Sequence, residues 1–271
     1  MPVSGSAPAR RIALGLEYDG TAYNGWQTQP HAPSIQDRVD AALSQVADHA
    51  VACVAAGRTD TGVHARGQVV HFDSPARREA RAWILGLNSL LPDDIAAQWV
   101  REVPADFHAR YSAIRRWYRY RVLNQPLRSP LERHRAWWVH RPLDLAAMQA
   151  AASELLGEHD FSAFRAAACQ SRTAVRALYR LELQRHGPVI HIDCEANAFL
   201  HHMVRNIVGT LVRVGRGERD PGWVRRLLAE RDRRLSGMTA PACGLTLMAV
   251  RYPPEFGLPE GGPPAPFAAP R

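Results

Sequence analysis

Hydrophobic and polar positions alternate from Arg11 to Tyr18, which predicts a strand closed by the turn-forming pair Asp19-Gly20. Beyond Ser34, a good helix cap, Ile35, Val39, Leu43 and Val46 recur at helical spacing. Two short apolar runs, Val51 to Ala56 and Gln68 to Phe72, read as strands on either side of a polar segment. A helical stretch from Arg78 to Leu90 leads through Leu91-Pro92 to a strand at Ile95 to Val103. The second half repeats the theme without repeating the sequence. It reads as a strand at Arg115 to Leu123, a helix at Asp144 to Leu156, and two strands from Ala177 to Glu195 hinged at His186-Gly187-Pro188. A long helix from Phe199 to Gly217, a shorter one from Pro221 to Arg231 and a strand from Leu245 to Tyr252 complete it. The pattern predicts the α+β class: two successive units with mostly antiparallel sheets, residues 1–110 and 111–252. The Gly/Pro-rich tail, residues 253–271, is expected to be loose.

Composition narrows the function more than the fold. With 46% hydrophobic and 22% charged residues, the 271-residue chain fits neither a disordered nor a membrane protein. No apolar run reaches the ~18 residues a spanning helix needs, and Met1 to Arg11 has no apolar core of the signal-peptide kind. A cytoplasmic protein without membrane partners is the expectation. Cys53, Cys169, Cys194 and Cys243 lie far apart and form no Cys-x-x-Cys pair, so they read as reduced thiols. The net charge of +8 favours a polyanionic partner, because arginine neutralises phosphates and releases their counterions.

Three segments could carry chemistry. In Gly57-Arg58-Thr59-Asp60-Thr61-Gly62-Val63-His64-Ala65, small polar residues sit between two strands, and Asp60 is the sole carboxylate. Arg58 beside it would hold Asp60 ionised and could contact a phosphate or base. The plain alternative is that Asp-Thr-Gly forms a hairpin turn. In the strand Arg115 to Arg121, Tyr118, Tyr120 and Val122 share one face while Trp117, Arg119 and Arg121 share the other. Cations interleaved with aromatics suit stacked bases and phosphates; a sheet with solvated arginines explains them equally. In the third segment, Leu200, Met203, Val204, Ile207, Val208 and Leu211 form one helical stripe with Arg205 at its flank. Arg205 is then either a surface arginine or the buried partner of a carboxylate.

Metal and nucleotide motifs are incomplete. His201 and His202, adjacent on the expected helix, should point about 100° apart and so could not chelate as an i, i+4 pair does. No His-Glu-x-x-His occurs, and Gly215-Arg216-Gly217 is not completed into a phosphate loop. No metal and no nucleotide cofactor are expected.

The three segments, in this order, resemble the motifs of the tRNA pseudouridine synthase A family. The likeness continues through Glu17-Tyr18-Asp19-Gly20-Thr21, Gly25-Trp26-Gln27, Ser34-Ile35-Gln36 and Leu87-Asn88-Ser89-Leu90-Leu91-Pro92. Phe107-His108-Ala109-Arg110, His159-Asp160-Phe161-Ser162-Ala163-Phe164 and Thr239-Ala240-Pro241-Ala242-Cys243-Gly244-Leu245 extend it, so that most of the chain is covered. Val39-Asp40 stands where the family has Leu-Glu, and Thr173-Ala174 where Ser-Pro is common. The resemblance implies Asp60 as the catalytic aspartate, Tyr118 as the aromatic beside the target base, and Arg205 as the cation paired with the aspartate. Arg58 would help extrude the base, and His64 and Arg110 would join it in binding substrate. It further implies two α+β halves whose sheets join across a basic cleft, and a cofactor-free homodimer binding tRNA across both subunits. The substrate would be uridine on the 3′ side of the anticodon stem-loop.

Two other classes compete. A non-catalytic RNA-binding protein would explain the charge but not a carboxylate among cations. A metal-dependent RNA hydrolase would use Asp60, His64 and His71, yet lacks the cluster of carboxylates that holds such ions.

Overall fold

The computed structural model describes residues 8–259. The described residues divide into two compact units, residues 8–113 together with 248–259, and residues 114–247.

In the first unit, strand β1 (Arg10–Tyr18) lies between two antiparallel neighbours, β3 (His64–Ser74) and β4 (Ile95–Val103), with Leu14 opposite both Val70 and Val100. The two-residue strand β2 (Val54–Ala55) pairs with β3 at Val70 and His71. The alternation of β1 does not leave one face to water. Trp99 of β4 lies across Gly15, where a β-carbon would stand 2.1 Å from its indole nitrogen, and Ala13 on that face is buried just as Leu14 and Leu16 are on the other. Helices α1 (Ile35–Ala47) and α2 (Ala80–Leu90) supply Ile35, Val39, Leu43, Trp83 and Leu87 to the core. Ser34 caps α1 as expected: its hydroxyl accepts from the Asp37 amide and donates to the Asp37 carboxylate. Helix α2 begins two residues later than the pattern predicts.

In the second unit, β5 (Arg115–Asn124) pairs antiparallel with β9 (Val189–Ala196), β9 with β8 (Val175–His186), and β8 with β7 (Gly157–Asp160). Strand β6 (Trp137–Val139) runs parallel to β5. The hinge between β8 and β9 is a two-residue hairpin loop, Gly187-Pro188, with Gly187 at φ 56°, the first-position geometry of a type II′ turn. Helices α3 (Leu145–Ser153), α4 (Met203–Gly215) and α5 (Trp223–Glu230) pack among themselves. The stripe expected on α4 is buried, but so are its polar residues Asn206 and Thr210. The Asn206 amide donates to the Phe164 carbonyl and its oxygen accepts from Arg233 and Thr239, which removes the cost of burying it. Strand β10 (Leu245–Arg251) begins in this unit and ends in the first, where the β10 backbone at Met248 passes Gly67 of β3 so closely that no side chain fits there.

Residues 253–259 follow β10 with a short 3-10 turn, and Phe256 packs against Phe107 at 5.1 Å between ring centres. The rest of the tail lies outside the described residues. Among the described residues, no helix is long and apolar enough to cross a membrane.

Candidate active site

The loop from Ala56 to Val63 closes the β2–β3 hairpin, and it is fixed at several points along its backbone. The Ala56 amide donates to the Val69 carbonyl, and the side-chain amide of Gln68 to the Gly57 carbonyl at 2.7 Å. Thr59, only 6% exposed, is held twice: its hydroxyl lies 2.9 Å from that of the buried Tyr18, and its carbonyl accepts from the Trp26 amide at 3.0 Å. Burial pushes the Tyr18 phenol up to about 12, so it stays a neutral hydrogen-bonding group. The Val63 amide then returns to the Asp60 carbonyl at 3.1 Å, forming a turn with Gly62 at φ 75° in its third position, as a type II turn requires. The turn and the functional readings of Asp-Thr-Gly are therefore not alternatives. The turn is what holds Asp60 half-exposed at the tip of a braced loop.

Two glycines press a neighbouring segment against this loop. A β-carbon on Gly20 would stand 2.1 Å from the Val63 carbonyl oxygen, and one on Gly25 would stand 2.6 Å from that of Thr59. Arg58 is exposed beside Asp60. His64, by contrast, is 5% exposed at the foot of the loop, with Nδ1 3.1 Å from the Gly20 amide and 3.0 Å from Asp19 Oδ1. One nitrogen cannot accept from the amide and donate to the carboxylate at once, so its protonation selects which of these bonds it makes. Arg110 lies elsewhere in the same unit, exposed, with its guanidinium 5.6 Å from the Tyr111 ring centre.

In the second unit, Tyr118 sits on β5 opposite Cys194 and meets Phe199 edge to face, at 5.2 Å between ring centres. The cations on the opposite face of β5 are neither simply solvated nor waiting for phosphate. Arg119 makes a two-pronged contact with buried Asp193, Trp117 Nε1 donates to the same carboxylate, and Arg121 pairs with Glu132. These acids come from β9 and from the segment before β6, so no pattern within β5 could reveal them.

Arg205 is half-buried on α4. Its Nε donates to the Ala240 carbonyl at 2.8 Å, while its own carbonyl accepts from the Ala240 amide at 3.1 Å. The reciprocal pair fixes where the guanidinium starts from, and is more order than a surface arginine carries. The helical premise for His201 and His202 does not hold. Helix α4 starts only at Met203, His202 takes the left-handed conformation at φ 61°, and the two rings lie 4.0 Å apart between centres instead of splaying. Sequence reasoning also passed over Tyr18, Gly20 and Gly25, which set the loop; the runs Glu17-Tyr18-Asp19-Gly20-Thr21 and Gly25-Trp26-Gln27 held that signal.

The sequence profile of the family described as tRNA pseudouridine synthase matches residues 16–112 and 151–253. The chain belongs to this family. Its relatives named "tRNA pseudouridine synthase A" include one from Methylococcus capsulatus, 54% identical over 92% of this chain and 92% of the relative. Those from Hydrogenovibrio crunogenus and Thiobacillus denitrificans are each 52% identical, over 92% and 95% of this chain and 95% and 99% of the relative. As a family member, the protein is an isomerase acting on uridine in tRNA. The matched stretches contain Arg58, Asp60, His64, Arg110 and Arg205; Tyr118 falls between them.

Proposed function

We propose that this enzyme converts uridine to pseudouridine on the 3′ side of the tRNA anticodon stem-loop, with Asp60 as its catalytic carboxylate. The observation that carries the reading is the presentation of Asp60. It is the one carboxylate in a loop of small residues, lies next to the doubly anchored Thr59, and falls within the stretch matched by the family.

The reaction breaks the C1′–N1 bond, turns the uracil and joins C1′ to C5. C5 loses a proton and N1 gains one, so substrate and product have the same composition and no electron acceptor or group donor is consumed. A carboxylate can serve as nucleophile on the sugar, as nucleophile on the base, or as a base at the sugar, and each role requires the anion. A base inside a stem must be flipped out before any of these steps. Tyr118 offers the flat face on which it stacks, and its phenol a route for the C5 proton. Arg205 keeps the Asp60 carboxylate charged and oriented, a role for which a planar two-pronged cation is suited. Arg58 and Arg110 bind the RNA, Arg58 filling the place of the extruded base, while His64 supports the loop from below. We read the enzyme as a cytoplasmic homodimer that binds tRNA across both subunits without a cofactor or metal.

The test is single-turnover incubation of the pure protein with a uridine-labelled tRNA transcript, followed by digestion and nucleoside analysis. Pseudouridine on the 3′ side of the anticodon stem-loop is the expected product. Pseudouridine elsewhere alone would refute the position, and none at all would refute the activity.

A further inference from the structure

Tyr111 is the most exposed of the large aromatic side chains among the described residues, at 75%. It does not hang loose. The Arg110 and Tyr111 amides both donate to His108 Nδ1, at 3.1 and 3.2 Å, and the His108 amide and carbonyl bond to the Ser112 hydroxyl and amide, each at 2.9 Å. The His108 ring, so locked, lies against the Tyr111 ring at 4.3 Å between centres and 34° between planes. Behind it stands buried His71, 4.7 Å from His108, with Nδ1 accepting from the Ala109 amide at 3.1 Å; behind His71 stands Phe107, completely buried.

The result is a column of rings running from the core to the surface and ending in an aromatic face open to water. Three consecutive amides, those of residues 109 to 111, are tied to the nitrogens of its two imidazoles. Tyr252 fastens the same turn, its hydroxyl donating to the Ala109 carbonyl at 2.7 Å. Accepting at Nδ1 from backbone amides requires neutral rings, and burial lowers the proton affinity of both histidines accordingly. An exposed aromatic costs solubility and contributes nothing to the core. A rigid backbone brace beneath it has a physical rationale if the ring meets a partner, since little order is then lost on binding. The Arg110 guanidinium at its side supplies the cation that accompanies a stacking ring at single-stranded nucleic-acid sites.

From this geometry we propose that Tyr111 is a stacking platform for an unpaired base of the bound tRNA, with Arg110 on the adjoining phosphate. The proposal rests on tRNA being the substrate and adds a contact distinct from the reacting base.

The test compares wild type with Tyr111→Ala, Tyr111→Leu and Tyr111→Phe, measuring equilibrium binding of an unmodified tRNA transcript and single-turnover conversion at saturating tRNA. Stacking contributes about 1–3 kcal/mol per base, so Tyr111→Ala and Tyr111→Leu should weaken binding roughly 5- to 150-fold. Tyr111→Phe should bind within about twofold of wild type, because the π-face is kept. Conversion at saturation should be unchanged in all three. Because Tyr111→Ala removes no charge, its affinity should fall with salt as steeply as that of wild type, whereas Arg110→Gln should flatten that slope by about one ion. Wild-type affinity in Tyr111→Ala, or equal weakening in Tyr111→Phe, would overturn the platform. So would a lost conversion rate with intact binding. A wild type that neither binds nor converts tRNA would instead sink the reading of the substrate.

Discussion

The α-carbon of Gly25 faces the carbonyl of Thr59 so closely that an added methyl would stand 2.6 Å from its oxygen, while Gly25 itself sits at φ 91°. The next amide, that of Trp26, donates to the same carbonyl. Alanine at position 25 must therefore displace the loop or strain its own backbone. Gly25→Ala is expected to cost about 1–3 kcal/mol of stability and to slow turnover at least tenfold while tRNA affinity holds. Thermal melting with single-turnover assays would check this. A destabilised variant with full turnover would show that catalysis tolerates movement of the Asp60 loop.

Asp60→Asn keeps the volume of the side chain and removes its charge. Pseudouridine formation should drop by on the order of 10³ or more, with tRNA still bound, as read by nucleoside analysis beside an equilibrium binding assay. Retained turnover would take Asp60 out of the mechanism.

For Tyr118, ring and hydroxyl are separable. Tyr118→Phe keeps the edge-to-face contact with Phe199 and the stacking face but loses the phenol; Tyr118→Leu loses both. Both should lose turnover, and only Tyr118→Leu should also lose the stacked base, measurable as fluorescence of a base analogue at the target position. A wild-type rate for Tyr118→Phe would leave stacking as the only role.

Arg205→Lys keeps a charge but not the planar fork, nor the Nε that holds Ala240. Single-turnover rates at saturating tRNA should fall roughly tenfold or more for lysine and further for Arg205→Met, which keeps neither the charge nor the fork. Near-normal conversion by Arg205→Met at neutral pH would mean that Asp60 works without this partner.

The first unit should also weaken in mild acid. Burial, with nearby His108 and Arg11 adding to it, pushes the His71 imidazole down to about 4, whereas an unfolded histidine takes a proton near about 6.5. Between those values the unfolded chain binds more protons, so this contribution is complete above roughly pH 6.5 and is lost as pH falls toward about 4. His71→Asn offers an oxygen to the Ala109 amide and has no proton to gain. Melting temperatures from neutral to mildly acidic pH should therefore fall less steeply for the variant, and parallel curves would refute the assignment.

How much of this was legible in the sequence depended on how local its cause is. The Ser34 cap, the β1 strand and the Gly187-Pro188 hairpin rest on neighbouring residues and were readable. Strands β6 and β7 were not. They have three and four residues, and Gly157-Glu158-His159-Asp160 has no strand-forming composition; it is extended because it pairs with β8. The sequence reads helix α4 as starting at Phe199, but the left-handed turn at His202 delays it to Met203, and histidine, though enriched there, adopts that conformation too rarely for the sequence to signal it. The candidate residues Arg58, Asp60 and Arg205 stood out as motifs. What braces them did not, because Tyr18, Gly25 and Ala240 act through contacts distant in sequence.

The first unit is built from both ends of the chain. The residues around Gly67 on β3 gain their neighbour only from Met248 onward, and Phe107 is covered by Tyr252 and Phe256. During synthesis the Asp60 loop is therefore among the early segments made, yet its unit is closed by late ones. Residues 114–247, one continuous stretch, can collapse while part of the β3 edge is still a free template for wrong pairing. A chain cut short before Met248 would thus lose far more than a tail: it would leave the unit that carries the Asp60 loop open along a strand.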